Sequence, residues 1–319
     1  MSWLAALFSA HLVPVMITTG ASFLLLFAIF RPLELAFPAK PAQKFFRPAW
    51  ITDLGFFLGQ YFIWSGLVFW VLTHFGGWLQ GILPGGFRSR VASQPFWLQA
   101  IEVFVLSDLI IYWAHRLQHN TPFLWRFHAV HHSAEHLDWL AAHREHPLDT
   151  IYTVGLINLP VFVLGLDLHA LVMFIYFRGI WAIYIHSNVR LPLPWIRWLI
   201  GAPELHHWHH DRDKDAGNYA NISPVMDLLF GTYVCPNHEP AAFGLMSDPL
   251  PQNYFAQLIY PLMPRKWSRK LDRFFIREAD AEAKSERSVA EERVATGTGK
   301  DKRSDSPLEI SGDSLAAPV

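Results

Sequence analysis

The stretch FWLQAIEVFVLSDLIIYWAHRLQH, Phe96–His119, decides the fold. From Phe96 to Ala114 only Gln99, Glu102, Ser107 and Asp108 interrupt a run of apolar and aromatic side chains. At 1.5 Å per residue such a run is long enough to cross a hydrocarbon core of about 30 Å as one helix. It ends in His115 and His119, one helical turn apart on one face. A membrane span therefore delivers two imidazoles to one side of the bilayer.

Working outward, Leu12–Phe30 is uncharged and reads as a first span, and a second follows from about Asp53 to Leu72. Between them, RPLELAFPAKPAQKFFRP, Arg31–Pro48, reads as a Pro-rich basic loop, which the bias of Lys and Arg places on the cytoplasmic side. Thr73–Pro95 reads as a Gly-rich outer loop before the third span returns. Asp149–Asn188 is too long for one helix and suits two spans broken near Gly165 and Asp167, the second ending at His186. The expected fold is all-α: an integral membrane bundle of about four to five transmembrane or membrane-embedded helices under a cytoplasmic histidine-rich cap. PWIRWLIG and the basic PRKWSRKLDRFFIR fit the cytoplasmic interface. Residues 1–48 form an anchor and loop, 49–276 a catalytic region, and 277–319 a charged, aromatic-poor tail with the composition of a disordered segment.

Composition supports this reading. The chain has 319 residues, 52% hydrophobic and 17% charged, enough apolar side chains to cross a bilayer several times. A formal net charge of -1 without a basic stripe argues against nucleic acid as a partner. The single cysteine, Cys235, excludes an intramolecular disulfide and any Cys-rich metal site. The N-terminus lacks the basic start and cleavage site of a secretory signal and reads as retained.

Fourteen of the 17 histidines lie between His115 and His210. HRLQH supplies His115 and His119; HAVHH supplies His128, His131 and His132; IHSN supplies His186; HHWHH supplies His206, His207, His209 and His210. On a helix, HxxxH and HxxHH each aim two or three imidazoles at one point. One zinc takes three or four protein ligands, so nine well-spaced histidines suggest two neighbouring ions. Imidazole suits iron, zinc or copper, and spacing leaves the metal open. A zinc-dependent membrane hydrolase and a metal transporter are the rivals. The first lacks HExxH, with Glu145 and Glu204 the nearby glutamates, and the second needs ligands deep in the spans rather than at their ends. Asp108 lies two turns before His115, and an ionisable residue inside a span is costly unless paired, so it is the leading candidate to orient a ligating imidazole. Asn188, Asp211, Asn218, Tyr219 and Asp227 are weaker candidates, because turns and caps use the same residues.

The ordered motifs SDLIIYWAHRLQH, LWRFHAVHHSAEHLDWLAAHREHPLD, IHSNVR and ELHHWHHDRDKDAGNYANISPVMDLLFGTY resemble the fatty acid hydroxylase and sterol desaturase superfamily from about Asp53 to Tyr233. The resemblance implies a di-iron centre held by His115, His119, His128, His131, His132, His186, His206, His209 and His210. It leaves His207 in a position the pattern does not require, and leaves the roles of His136, His143 and His146 open. It further implies an O2-dependent hydroxylase or desaturase acting on a lipid, a fatty acyl chain, sterol, alkylglycerol or carotenoid. Two electrons would come from a separate ferredoxin, rubredoxin or cytochrome, since the chain has neither a Rossmann fingerprint nor a fused haem domain. The basic segment Arg265–Arg277 is a candidate surface for that donor or for anionic lipid. A bacterial inner membrane is the expected location, with the histidines facing the cytoplasm.

Overall fold

A computed structural model describes residues 13–264, apart from positions 83, 167, 193–194, 213–216 and 247–249 and the side chains of 168–175 and 196. The predicted tail, the basic segment Arg265–Arg277 and His11 lie outside the described residues. Those described are all-helical, with two isolated bridges, Pro38 to Val189 and Asp211 to Phe243, in place of a sheet.

Helix α1 spans Val13–Ala36, α2 Trp50–Gly59 and α3 Ser65–Leu79, the last two joined without a break by a π-helical turn at Gln60–Trp64. A short α4, Gly85–Ala92, leads to α5, Phe96–Asn120. Among the described residues, three segments are long and apolar enough to cross a membrane: Val13–Ala36, Trp50–Leu79 and Phe96–Asn120. Two boundaries differ from the sequence expectation. The helix of the first span continues through Arg31 and Pro32, because Glu34 is buried there and accepts the backbone N–H groups of Trp139 and Asn188 at 3.0 and 3.2 Å. The second span runs on through the Gly76-Gly77 pair of the expected outer loop. A Cβ at Gly76 would lie 2.5 Å from the Phe162 ring, so the glycine admits close helix packing instead of ending the helix.

Thr121 precedes Pro122 at the first position of α6, Pro122–His132, where a proline costs no helical hydrogen bond. Helices α7, Pro147–Ile157, and α8, Leu159–Leu164, lead outward to Gly165, whose φ of 76° makes the expected break before α9, Leu168–His186. Helices α10, Pro203–His209, α11, Val225–Phe230, and α12, Tyr254–Ile259, complete the cap.

The core at the histidine end packs Leu26 and Phe30 of α1 and Phe57 of α2 against Trp139, Leu140 and Ile183. Beneath it lies a network of buried charge. Arg47 donates to both oxygens of Asp138 at 2.6 and 2.7 Å and pairs with Asp53 at 2.6 Å, and Arg144 donates to Asp53 at 2.5 Å. These bonds tie the loop after α6 to the start of α2.

Candidate metal centre

Four elements carry the histidines to one place: the last turns of α5 and α6, the last residue of α9, and α10 with its C-terminal cap. The donor atoms sort into two groups, each with all members within 4.8 Å of one another: His115, His119, His128, His132 and His209, and His131, His186, His206 and His210. The nine residues nominated from sequence are the nine the structure gathers.

Each HxxHH box divides between the groups, rather than aiming at one point. His128 and His132, four residues apart, enter the group of five while His131 enters the group of four; His206 and His210 enter the group of four while His209 enters the group of five. Adjacent helical residues diverge by about 100°, whereas i and i+4 share a face, so the boxes hold the two groups side by side. The His132 and His210 rings stack across the junction with centroids 4.3 Å apart.

The outer nitrogens of five rings are tied to protein acceptors. Nδ1 of His115 donates to the Tyr219 carbonyl at 2.9 Å, that of His131 to the Arg144 carbonyl at 3.1 Å, and that of His186 to the Ala182 carbonyl at 2.6 Å. Nδ1 of His209 donates to the Gly217 carbonyl at 2.6 Å, and that of His128 to the Asp149 carboxylate at 2.9 Å. A carbonyl or carboxylate oxygen only accepts, so each Nδ1 carries the hydrogen and each Nε2 of the neutral ring presents a bare lone pair.

Those lone pairs face one another. His115 and His128 bring Nε2 atoms to 3.0 Å, and His131 and His186 to 2.9 Å, while Nε2 of His209 is buried with no hydrogen-bond partner. Two acceptors at that distance repel unless a cation lies with them. Protons are disfavoured in that role: burial, then the neighbouring imidazoles, holds His128, His132, His206 and His210 well below the usual histidine range, and burial holds His131 down to about 4. Metal cations resolve the conflict, and the donor set fits them.

The remaining sequence candidates fall elsewhere. Asp108 hydrogen-bonds none of the nine imidazoles, which differs from the expectation for it; its oxygens accept the N–H groups of Ile222 and Ser223 at 3.1 and 3.2 Å and pin the loop before α11. Asp149 takes the role expected of Asp108. It holds His128 and accepts from Gln118 of α5 at 2.6 Å. Its only sequence signal was its place three residues after His146 in REHPLD. Asp227 accepts the N–H groups of Tyr219 and Ala220, fixing the carbonyl that orients His115, and Asn218 bonds the backbone of Leu205 and Val234. Asn188 bonds Lys40 on both sides. His207 lies outside both groups and bridges the Glu239 carboxylate and the Ser187 carbonyl at 2.6 and 3.1 Å. His146 caps α7 through the Leu148 N–H, His143 bonds Gln60 at 2.8 Å, and His136 stays outside the centre.

A cavity of about 510 Å³ opens beside the centre, and His115, His128, His131, His186 and His206 form part of its wall. Its other surfaces are largely apolar, from Leu26 and Ile29 of α1, Ile111 of α5, Val154 of α7 and Ile183 of α9. Its size is that of a small-ligand pocket.

A helical scaffold with three segments apolar enough to cross a membrane, among the described residues, and two adjoining all-histidine donor groups beside an apolar cavity has the features of a membrane metalloprotein. Residues 100–232 match the fatty acid hydroxylase family model, in keeping with the resemblance read from the motifs. The chain is similar to ornithine lipid hydroxylase OlsE of Rhizobium tropici, 29% identical over 169 residues that cover 52% of this chain and 51% of that protein. It is also similar to alkylglycerol monooxygenase of Homo sapiens, 29% identical over 44% of this chain and 32% of that protein. A third relative is very-long-chain aldehyde decarbonylase GL1-11 of Oryza sativa subsp. indica, 30% identical over 46% of this chain and 58% of that protein. The chain thus spans between about a third and just over half the length of these relatives. No solved structure matches.

Proposed function

We propose that this protein is a membrane-bound oxidoreductase that uses O2 and two electrons from a separate protein to oxidise a C–H bond of a lipid. His115, His119, His128, His132 and His209 would hold one iron, and His131, His186, His206 and His210 the second. The observation that carries this reading is the pair of buried all-imidazole donor groups opening onto an apolar cavity. Iron held by these residues would supply the redox chemistry needed to activate O2 toward an unactivated C–H bond.

The chain's own residues do the rest. The cavity wall binds hydrocarbon, each buried methylene contributing about 0.8 kcal/mol. The carbonyls of Tyr219, Arg144, Ala182 and Gly217 and the Asp149 carboxylate keep five imidazoles aimed inward before any ion arrives. Glu145 lines the cavity, and burial pushes its carboxyl up to about 7, so it keeps its proton to near neutral pH. Relatives named hydroxylase and monooxygenase favour oxygen insertion over a second hydrogen abstraction. We place the catalytic region at 49–276, with the histidines on the cytoplasmic face of a bacterial inner membrane and a ferredoxin, rubredoxin or cytochrome as donor.

The test is metal content of the detergent-purified chain, with lipid extracts from cells making it compared for added oxygen. Two irons per chain, with His209→Ala and His210→Ala each removing iron from a different group, and a lipid gaining one oxygen atom, are the expected results. One zinc per chain, or iron unaffected by both variants, overturns the assignment in favour of a hydrolase or transporter.

A further inference from the structure

The cavity has a mouth on its side. Leu25 and Ile29 of α1 and Tyr176, Gly179 and Ile180 of α9 all line it. The same residues face outward: Leu25 is 60% exposed, Tyr176 68% and Ile180 44%, and Gly179 is exposed as well. A residue that faces both a cavity and the exterior stands at an opening. On α1 the lining positions recur at i, i+3, i+4 and i+7, as Ser22, Leu25, Leu26 and Ile29, one face of the helix; α9 lines the cavity more broadly, with Arg178 and Ala182 beside Tyr176, Gly179, Ile180 and Ile183.

Gly179 forms the sill between them. A Cβ there would meet no heavy atom within 4 Å, in contrast to Gly76, where it would strike a phenylalanine ring. Glycine weakens a helix interior relative to alanine, and no neighbouring helix crowds this one. What the missing side chain leaves is open space at the mouth. Gly179 precedes His186 by seven residues, about 10 Å along the helix axis. On the other side of the mouth, α1 is itself long and apolar enough to cross a membrane.

We propose that this mouth is a lateral portal through which a hydrocarbon chain of a bilayer lipid passes from the membrane into the cavity. The substrate class narrows accordingly, to a lipid presented by its chain without leaving the bilayer. The purpose of the portal rests on the lipid-oxidising reading; its existence is tested apart from it.

The experiment uses the full-length, metal-loaded chain in phosphatidylcholine nanodiscs containing a small fraction of lipid with a diazirine in its acyl chain. After irradiation, labelling is read by mass spectrometry on the inner walls, at Val103–Ile111 and Val154–Val161. The native chain is labelled at both. Gly179→Trp lowers that labelling at least tenfold with metal content unchanged, and Gly20→Trp, in open space on α1 but off the cavity wall, leaves it within twofold. Should Gly179→Trp fail to fold, Leu25→Cys in a Cys235→Ser background is blocked after purification with a bulky maleimide, with the same loss expected. Inner walls that are unlabelled in the native chain, or labelled equally after blocking, overturn the portal. Blocked labelling without any oxidised lipid keeps the portal and refutes the oxidation reading, and oxidised lipid with unblocked labelling does the reverse.

Discussion

Replacing Asp149 by Asn tests whether the donor groups are held from outside. In the native chain one carboxylate oxygen accepts from His128 Nδ1 at 2.9 Å and the other from Gln118 Nε2 at 2.6 Å, both within the buried interior. The amide is nearly isosteric, but it replaces a charge-assisted bond with a neutral one and turns one acceptor into a donor facing the Gln118 amide. Hydrogen bonds to charged groups are worth about 1.5–3 kcal/mol, and loss of such a partner behind a ligand costs about 10–100-fold in metal affinity. That loss should fall on the group of five, since His128 belongs to it and not to the group of four. Chelator competition, followed by metal counting on the detergent-purified variant, should therefore show one site weakened by one to two orders of magnitude and the other unchanged. Unchanged affinity at both sites would show that the metals, and not Asp149, orient His128, and would refute the reasoning.

Other changes probe the same scaffold. A Cβ at Gly217 would lie 2.5 Å from the Thr232 carbonyl, so Gly217→Ala must displace the carbonyl that orients His209; metal counting should show loss from the group of five with the helical circular dichroism retained. Asp53→Ala leaves Arg144 buried without a carboxylate partner and Arg47 with Asp138 alone, and should cost about 3–5 kcal/mol, read as a lowered denaturation midpoint in detergent. Burial raises Glu145 from 4.5 to about 7, so this carboxyl's contribution to stability falls as pH rises through that window, against the opposite slope of the buried histidines. Glu145→Gln should remove that contribution, worth roughly 3 kcal/mol at most, seen as the difference between native and variant melting temperatures across a pH series.

The histidines were legible because helical spacing and motif order are properties of the chain itself. Their division into five and four was not, since it depends on how α6 and α10 are rotated against α5 and α9. Asp108 illustrates the limit: its burial inside a span was correctly read as demanding a partner, but the partner is backbone more than 110 residues away, brought there by the loop before α11. Asp149 was invisible for the converse reason, since only the packing of α7 beside α5 and α6 makes it a neighbour of His128. The span ends were misjudged where charge and glycine were taken as breakers, and burial of Glu34 and the fit of Gly76 to Phe162 override both.

What the arrangement does chemically follows from where the carboxylates are. Every member of both donor groups is a histidine. Asp108 and Asp227 spend their oxygens on backbone amides, and Asp53 and Asp138 spend theirs on Arg47 and Arg144. Among the described residues, Asp149 is the carboxylate that bonds one of the nine imidazoles directly, at its outer nitrogen. The carboxylates thus buttress the loops and leave the donor set neutral. Nine neutral imidazoles converging in a largely buried site are unfavourable without cations, so metal binding would be coupled to the stability of the cap. Cations held there would keep their charge largely uncompensated by the protein. The cavity beside them offers hydrocarbon contact along most of its wall and His115, His128, His131, His186 and His206 on part of it. In the proposed reaction polarity would therefore sort the reactants by position, the lipid chain along the apolar wall and O2 beside the charge.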